Sequence, residues 1–133
     1  MISYDTNVLI YALENKSEFA DAARSIVRLG ESVGACMSVL TKQELMTGAI
    51  SAGGDVDKLE AALYSLAGRE YVDADMEVVD MAINLNKTYG KKCSKYDALL
   101  LASAVIGGAT DYYTNDKALC NMGVREINVR SLI

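Results

Sequence analysis

The sequence predicts an α/β protein whose parallel sheet of four to five strands is covered by helices on both faces. Short apolar segments alternate along the chain with longer segments of helical periodicity. The strand candidates are apolar and brief, as strands buried on both sides are. The 133 residues suit one compact domain, read here as residues 1–133, and 51% of them are hydrophobic. A chain of this size buries roughly two-thirds of the surface its unfolded form exposes, so one core without staples is feasible.

Ile2 to Tyr4 forms the first strand candidate, followed by helical stretches over Val8 to Leu13 and Glu18 to Leu29. Gly34 punctuates, and Ala35 to Met37 is a second strand, followed by a helix over Leu40 to Ile50. Gly53-Gly54 breaks that helix, and Val56 to Leu66 is helical with Leu59, Leu63 and Leu66 on one face. Glu70 to Asp73 is a third strand. Asp75 caps a helix that runs to Thr88, and Gly90-Lys91-Lys92 is a loop. Asp97 to Ile106 is apolar on nearly every side, which predicts a buried helix ended by Gly107-Gly108. Asp111 to Thr114 is a fourth strand, and Val124 to Val129 holds a fifth.

Composition excludes more than it selects. With no histidine, every mechanism with an imidazole base and every His-ligated zinc or iron site is ruled out. Cys36, Cys93 and Cys120 are odd in number and far apart, which argues against a disulfide framework or a thiolate zinc site and for a reducing cytoplasm. The longest apolar stretch, Ala98 to Ala109, is broken by Ser103 and two glycines, and a bilayer span needs about 20 apolar residues, so no membrane association is expected. Met1 leads straight into Ile2-Ser3-Tyr4-Asp5 with no basic start, unlike a signal peptide. The net charge of −5 counts mildly against nucleic-acid binding. That sum misleads if several acids hold cations.

Right-handed strand–helix–strand units place strand C-termini and helix N-termini on one edge of the sheet, where ligands bind. Asp5 closes the first strand, Glu44 lies early in the helix after the second, Asp97 opens the buried helix and Asp116 follows the fourth strand. All four acids therefore fall on one rim. Each also has a structural reading. Thr41 to Glu44 and Ser94 to Asp97 both fit capping boxes, Asn115 or Asp116 can cap a short helix, and Asp5 can satisfy the helix that follows it. Asp73 and Asp75 are read as caps. Taken together, crowded carboxylates repel unless a cation joins them. Mg²⁺ or Mn²⁺ suits oxygen ligands, can make hydroxide from bound water near neutral pH, and neutralises phosphate charge. Phosphodiester hydrolysis is the economical chemistry for such a rim.

Lys42, Lys91, Lys92, Lys95 and Lys117 lie near the rim in sequence and read either as contacts to an RNA backbone or as ordinary surface lysines. Tyr112 and Tyr113 alternate on a strand, so at least one belongs to the core. Tyr4 and Tyr96 each precede a rim acid, where packing is favoured over base stacking. The helix over Val56 to Leu66 also carries Ala61, Ala62 and Tyr64, more apolar surface than one core-facing stripe requires. Either the sheet and a neighbouring helix cover it, or it meets a partner helix or a dimer seam.

Four segments resemble the motifs of the PIN domain, and within it the VapC-type toxin ribonucleases: Tyr4 to Leu13, Ser38 to Leu45, Tyr96 to Val105 and Tyr112 to Leu119. The resemblance implies a three-layer, Rossmann-like α/β/α fold and a divalent-metal-dependent endoribonuclease using Mg²⁺ or Mn²⁺. Asp5, Glu44, Asp97 and Asp116 would be its catalytic and metal-binding acids. Thr6, Asn7, Ser38, Thr114 and Asn115 would be supporting polar groups. It also implies an RNA substrate, a small antitoxin partner and a homodimer. An inactive PIN-like binding module is the alternative, and such modules often lack the full acid set. A haloacid-dehalogenase-type phosphatase needs a second Asp two residues after the first, where this chain has Asn7.

Overall fold

Residues 1–14, 17–66 and 70–133, apart from the side chains of Leu66 and Lys91, are described by the computed structural model. Its strands are β1 (Ile2–Tyr4), β2 (Cys36–Ser38), β3 (Glu70–Val72), β4 (Asp111–Thr114) and β5 (Asn128–Ser131). Every strand pairing is parallel: β4 sits between β1 and β5, and β2 pairs with β3. The two groups meet where Ile2 bridges Ala35 and the Ile2 amide donates to the Gly34 carbonyl at 2.9 Å. Across that bridge the order is β3-β2-β1-β4-β5. The crossovers run outward from β1 in one direction and from β4 in the other, so the order reverses between those two strands.

The helices are α1 (Thr6–Glu14), α2 (Ala20–Val33), α3 (Val39–Ser51), α4 (Val56–Leu66), α5 (Met76–Tyr89), α6 (Lys95–Ile106) and α7 (Lys117–Cys120), with a 3-10 turn over Gly90–Lys92 where the sequence suggested a loop. Strand alternation divides the core. Ile2, Tyr4 and Met37 pack with Val8, Leu9, Ala23, Val27, Leu45 and Leu63 on the α1–α4 side. Cys36 and Tyr112 pack with Val78, Ala82, Leu85 and α6 on the other. The sheet is thus the middle of three layers, with side chains leaving it alternately at period two.

The all-round apolar pattern of α6 has the expected consequence: Ala98, Leu100, Leu101, Ala102, Ser103 and Ala104 are buried. The amphipathic expectation for α4 holds only in part. Leu63 is core at 1% exposure and Leu59 is half-buried, while Tyr64 is exposed; the side chain of Leu66 lies outside the described residues.

Two expectations need correction. The fifth strand spans Asn128–Ser131, not Val124 to Val129. Ile127 is a buried anchor ahead of the strand, and the register is set by Asp111 opposite Asn128 and Tyr112 opposite Val129. The result is a polar edge strand, which discourages pairing with another chain. The cap of α3 is Ser38, whose hydroxyl accepts from the Leu40 amide at 3.1 Å, so Thr41 lies inside the helix and the Thr41–Glu44 capping box does not form. β2 passes into α3 with no intervening loop, which moves the cap to the last strand residue.

Two glycines sit in opposite surroundings. A Cβ on Gly107 would lie 2.8 Å from both the Cys36 sulfur and Val72 Cγ2, because the end of α6 presses on β2 and β3. Gly48 lies within α3, and a Cβ there would meet nothing within 4 Å. Gly107→Ala should therefore lower stability by about 1–3 kcal/mol through overpacking. Gly48→Ala should raise it by roughly 1 kcal/mol through helix propensity. Urea unfolding should show the two midpoints moving in opposite directions at unchanged slope.

Candidate active site

The reversal of strand order between β1 and β4 puts the residues that follow them side by side. Asp5 comes directly after β1, and its amide donates to the Tyr113 carbonyl at 3.0 Å, extending the parallel ladder by one rung. Its carboxylate is held at both oxygens. Oδ1 accepts from the Val8 amide at 3.2 Å, capping α1, and Oδ2 accepts from the Thr114 hydroxyl. Thr114 is fully buried at the end of β4, and its Oγ1 in turn accepts from the Asp116 amide at 3.0 Å. The Asp116 carboxylate is exposed and accepts from the Leu119 amide at 3.2 Å, capping α7. The capping readings of Asp5 and Asp116 are therefore correct, and for Asp5 capping leaves the second oxygen to other work.

Glu44 is exposed on α3, with its Oε2 accepting from the Thr6 hydroxyl at 3.2 Å. Asp97 is half-buried in the first turn of α6, and its amide donates to Ser94 Oγ at 3.0 Å. The Tyr96 hydroxyl is within hydrogen-bonding reach of both Glu44 and Thr6, and is 3.5 Å from the Leu40 carbonyl. Burial and then the Glu44 carboxylate push the Tyr96 phenol up to about 12.

Electrostatics single out the Asp5–Asp97 side of the rim. Burial pushes the Asp5 carboxyl above the ordinary aspartate value, the hydrogen bonds from Thr114, Val8 and Asn7 pull it back in part, and the Asp97 charge raises it further. The ion pairs among the described residues join Arg24 to Asp21, Lys42 to Glu60 and Arg130 to Asp111, and none reaches a rim acid. Beneath the rim lies Tyr112, 1% exposed, with a hydroxyl that has no hydrogen-bond partner. After burial, the charges that most raise its phenol are those of Asp5 and Asp97. A buried hydroxyl without a partner leaves room for a further polar atom.

These features fit a hard divalent cation. The donors are all oxygen, Asp5 is desolvated with no basic partner among the described residues, and the Asp97 charge acts on it. Among the described residues no group of three or more Asp, Glu or Cys side chains is gathered closely enough to hold a metal ion, so the expected four-acid set of Asp5, Glu44, Asp97 and Asp116 is not assembled as a metal cage. Mg²⁺ commonly takes one or two carboxylates and keeps several waters, so a full protein cage is not a requirement of such a site.

The expected supporting groups divide. Thr6 and Thr114 touch Glu44 and Asp5 directly. Asn7 contributes its backbone to Asp5, and its side chain is exposed. Ser38 serves α3 as cap. Asn115 is half-buried between Thr114 and Asp116 with no side-chain role at the acids among the described residues. Lys42 is committed to Glu60 on α4 at 3.1 Å. Lys92, Lys95 and Lys117 are exposed, and the side chain of Lys91 lies outside the described residues. Sequence reasoning missed the Tyr112 hydroxyl. Period two on β4 was the available signal, since it puts Tyr112 on the same face as Thr114.

A parallel sheet with carboxylates at its switch point defines a small α/β protein with an acidic ligand edge. The chain belongs to the PIN domain family, whose profile matches residues 2–124. It is similar in fold to a chain of a toxin–antitoxin complex from Klebsiella pneumoniae (TM-score 0.75, 21% identity, 100% of this chain and 98% of that one). It is likewise similar to chains of DNA-bound VapBC from Salmonella typhimurium (TM-score 0.74, 21% identity, 99% and 98% covered) and of FitAcB from Neisseria gonorrhoeae (TM-score 0.73, 20% identity, 97% and 96% covered). No curated protein matches the chain in sequence.

Asp5→Asn keeps an acceptor for the Val8 amide while removing the buried charge. Because the folded value of Asp5 is raised, its ionisation opposes folding, and stability is lost as pH climbs from the ordinary aspartate range through that value. The metal-free variant should therefore melt at or above the parent temperature at neutral pH, with the difference shrinking as pH falls to the ordinary aspartate range. Thermal unfolding in EDTA across that window tests this; a large loss of stability would mean that Asp5 is structural only.

Proposed function

We propose that residues 1–133 act as a single PIN-like nuclease domain, a divalent-metal-dependent endoribonuclease that hydrolyses RNA phosphodiester bonds with water. The observation that carries this reading is Asp5, a carboxylate desolvated at the switch point of a parallel sheet, raised further by the Asp97 charge and without a basic partner among the described residues. Bound Mg²⁺ or Mn²⁺ would supply charge neutralisation at the phosphate and a more acidic water. Asp5 and Asp97 would hold the ion, with Thr114 and the Val8 amide fixing the Asp5 carboxylate in one orientation. Glu44, tethered by Thr6, would orient the attacking water and accept its proton. Asp116 stands at the far side, tied to Asp5 through Thr114. Lys92, Lys95 and Lys117 are exposed and available to the RNA backbone; Lys42, bound to Glu60, is a weaker candidate.

We further read the chain as the toxin of a toxin–antitoxin pair. Ile10, Leu13, Leu45, Ala49 and Leu59 line an apolar groove running up to Glu44, a fitting seat for a small antitoxin segment that would cover the acids. Exposed Met76 and Ile83 on α5 offer an apolar seam for a homodimer. Free thiols at Cys36, Cys93 and Cys120 suit a reducing cytoplasm. No helix among the described residues is long and apolar enough to cross a membrane. The inactive-module alternative is disfavoured by the complete acid set.

Purified protein should cleave single-stranded RNA with Mg²⁺ or Mn²⁺ and stop when EDTA is added; cleavage that continues undiminished in EDTA would overturn the reading. Asp97→Asn should cost about a hundredfold or more in rate. Metal at a hundred times its Kd should stabilise the parent by about 2.7 kcal/mol, and this gain should be absent in Asp5→Asn.

A further inference from the structure

We propose that the recess between α3 and the start of α6, walled by Leu40, Gln43, Glu44, Thr47 and Tyr96, is a subsite that receives one nucleobase of the RNA, with a preference for adenine over uracil. This inference rests on the ribonuclease reading and names how that site would choose its substrate. The recess has a volume of about 460 Å³. Leu40, Gln43, Glu44 and Thr47 stand at positions i, i+3, i+4 and i+7 of one helix, so they present a single continuous face. Tyr96 closes that face from α6. Glu44 belongs both to the recess and to the acid rim, and Tyr96 is bonded in sequence to Asp97. A base lying here would be adjacent to a phosphate held at Asp5 and Asp97.

The chemistry of the walls selects the occupant. Among the described residues no lysine or arginine lines the recess, and Glu44 repels anions, so a phosphate does not belong here. A planar neutral group does. Tyr96 is 36% exposed, its ring stands against α3 in the wall of the recess, and its hydroxyl lies 3.5 Å from the Leu40 carbonyl. Its ring is therefore oriented before any ligand arrives, and stacking loses little rotamer freedom. The exposed Gln43 offers an amide oxygen and an amide nitrogen, the pair that matches adenine N6 and N7. Thr47 adds a hydroxyl, and the Glu44 carboxylate accepts from an exocyclic amino group. Uracil, with carbonyls at both positions flanking N3 and no amino group, meets a surface rich in acceptors.

Labelled eight-residue oligoadenylate and oligouridylate, titrated into Asp5→Asn protein and followed by fluorescence anisotropy, test this without cleavage. Oligoadenylate should bind more tightly. In that background Tyr96→Leu should weaken oligoadenylate binding by about 5- to 100-fold. Tyr96→Phe, which keeps the ring, should stay within about threefold. Gln43→Ala should narrow the gap between the two oligomers while leaving oligouridylate binding unchanged. In protein with Asp5 intact, Tyr96→Leu should raise KM more than it lowers kcat. Melting temperatures of the variants separate a lost subsite from a lost fold. Equal binding of both oligomers, or Tyr96→Leu indistinguishable from its parent, overturns the subsite even if RNA is cut. Failure of the wild-type protein to cut RNA, with Tyr96-dependent oligoadenylate binding intact, overturns the ribonuclease reading and leaves the base subsite standing.

Discussion

The parallel pairing of β1 with β4 is the constraint on which the acidic rim depends. Its register sets Ile2 opposite Asp111, Ser3 opposite Tyr112 and Tyr4 opposite Tyr113. One rung further, the Asp5 amide meets the Tyr113 carbonyl and the Thr114 hydroxyl meets the Asp5 carboxylate. A slip of one residue would exchange the faces of β4. Tyr112 would then leave the α6 side, and Thr114 would point away from Asp5. The same pairing explains why residues 109 apart in sequence share a hydrogen bond, and why Asp116, two residues beyond Thr114, is brought to the rim by its backbone.

What the pairing assembles is not at rest electrostatically. A buried carboxylate without a cation costs free energy unless hydrogen bonds replace its water. Three donors serve Asp5, yet burial and Asp97 still outweigh them. Asp111 offers the contrast. It is bonded by Thr110 and by Arg130, and its carboxyl is held below the ordinary value. Where this chain uses an aspartate to fasten an edge strand, it supplies an arginine. At the rim it supplies hydroxyls and amides, which orient a carboxylate without neutralising it, and it places the unpartnered Tyr112 hydroxyl underneath. Orientation without neutralisation is what a cation site requires.

Local signals carried much of this architecture and failed where tertiary contacts decide. β1, β4 and α4 have the boundaries that apolar runs and glycine breaks suggest, and Asp75 and Ser94 cap α5 and α6 as their positions imply. The end of β2 was ambiguous because Ser38 and Thr41 are both hydroxyl residues ahead of an apolar helix. Only the direct passage of strand into helix selects Ser38. The start of β5 differs from the expected one because Val124, Ile127 and Val129 look alike in sequence, whereas one is a half-buried loop residue, one a core anchor and one a strand residue. For the site, topology could align four acids on a rim but could not aim their side chains. That Lys42 is drawn to Glu60 and that the Thr114 hydroxyl reaches the Asp5 carboxylate depend on contacts between residues far apart in sequence.

The acidic balance of the chain then has a local rather than a global meaning. The rim acids make up most of the net charge of −5, so the remaining surface is close to neutral. A nucleic acid approaching such a surface gains little from long-range steering, unlike one approaching a basic protein. On the ribonuclease reading, affinity has to come from short-range contacts: a cation neutralising the rim, a few exposed lysines and stacking on an aromatic ring. Binding built this way releases few counterions and so depends weakly on salt. On the same reading the apo rim would repel RNA, so that a bound cation would do two things at once, supplying the chemistry and removing the charge that keeps the substrate away.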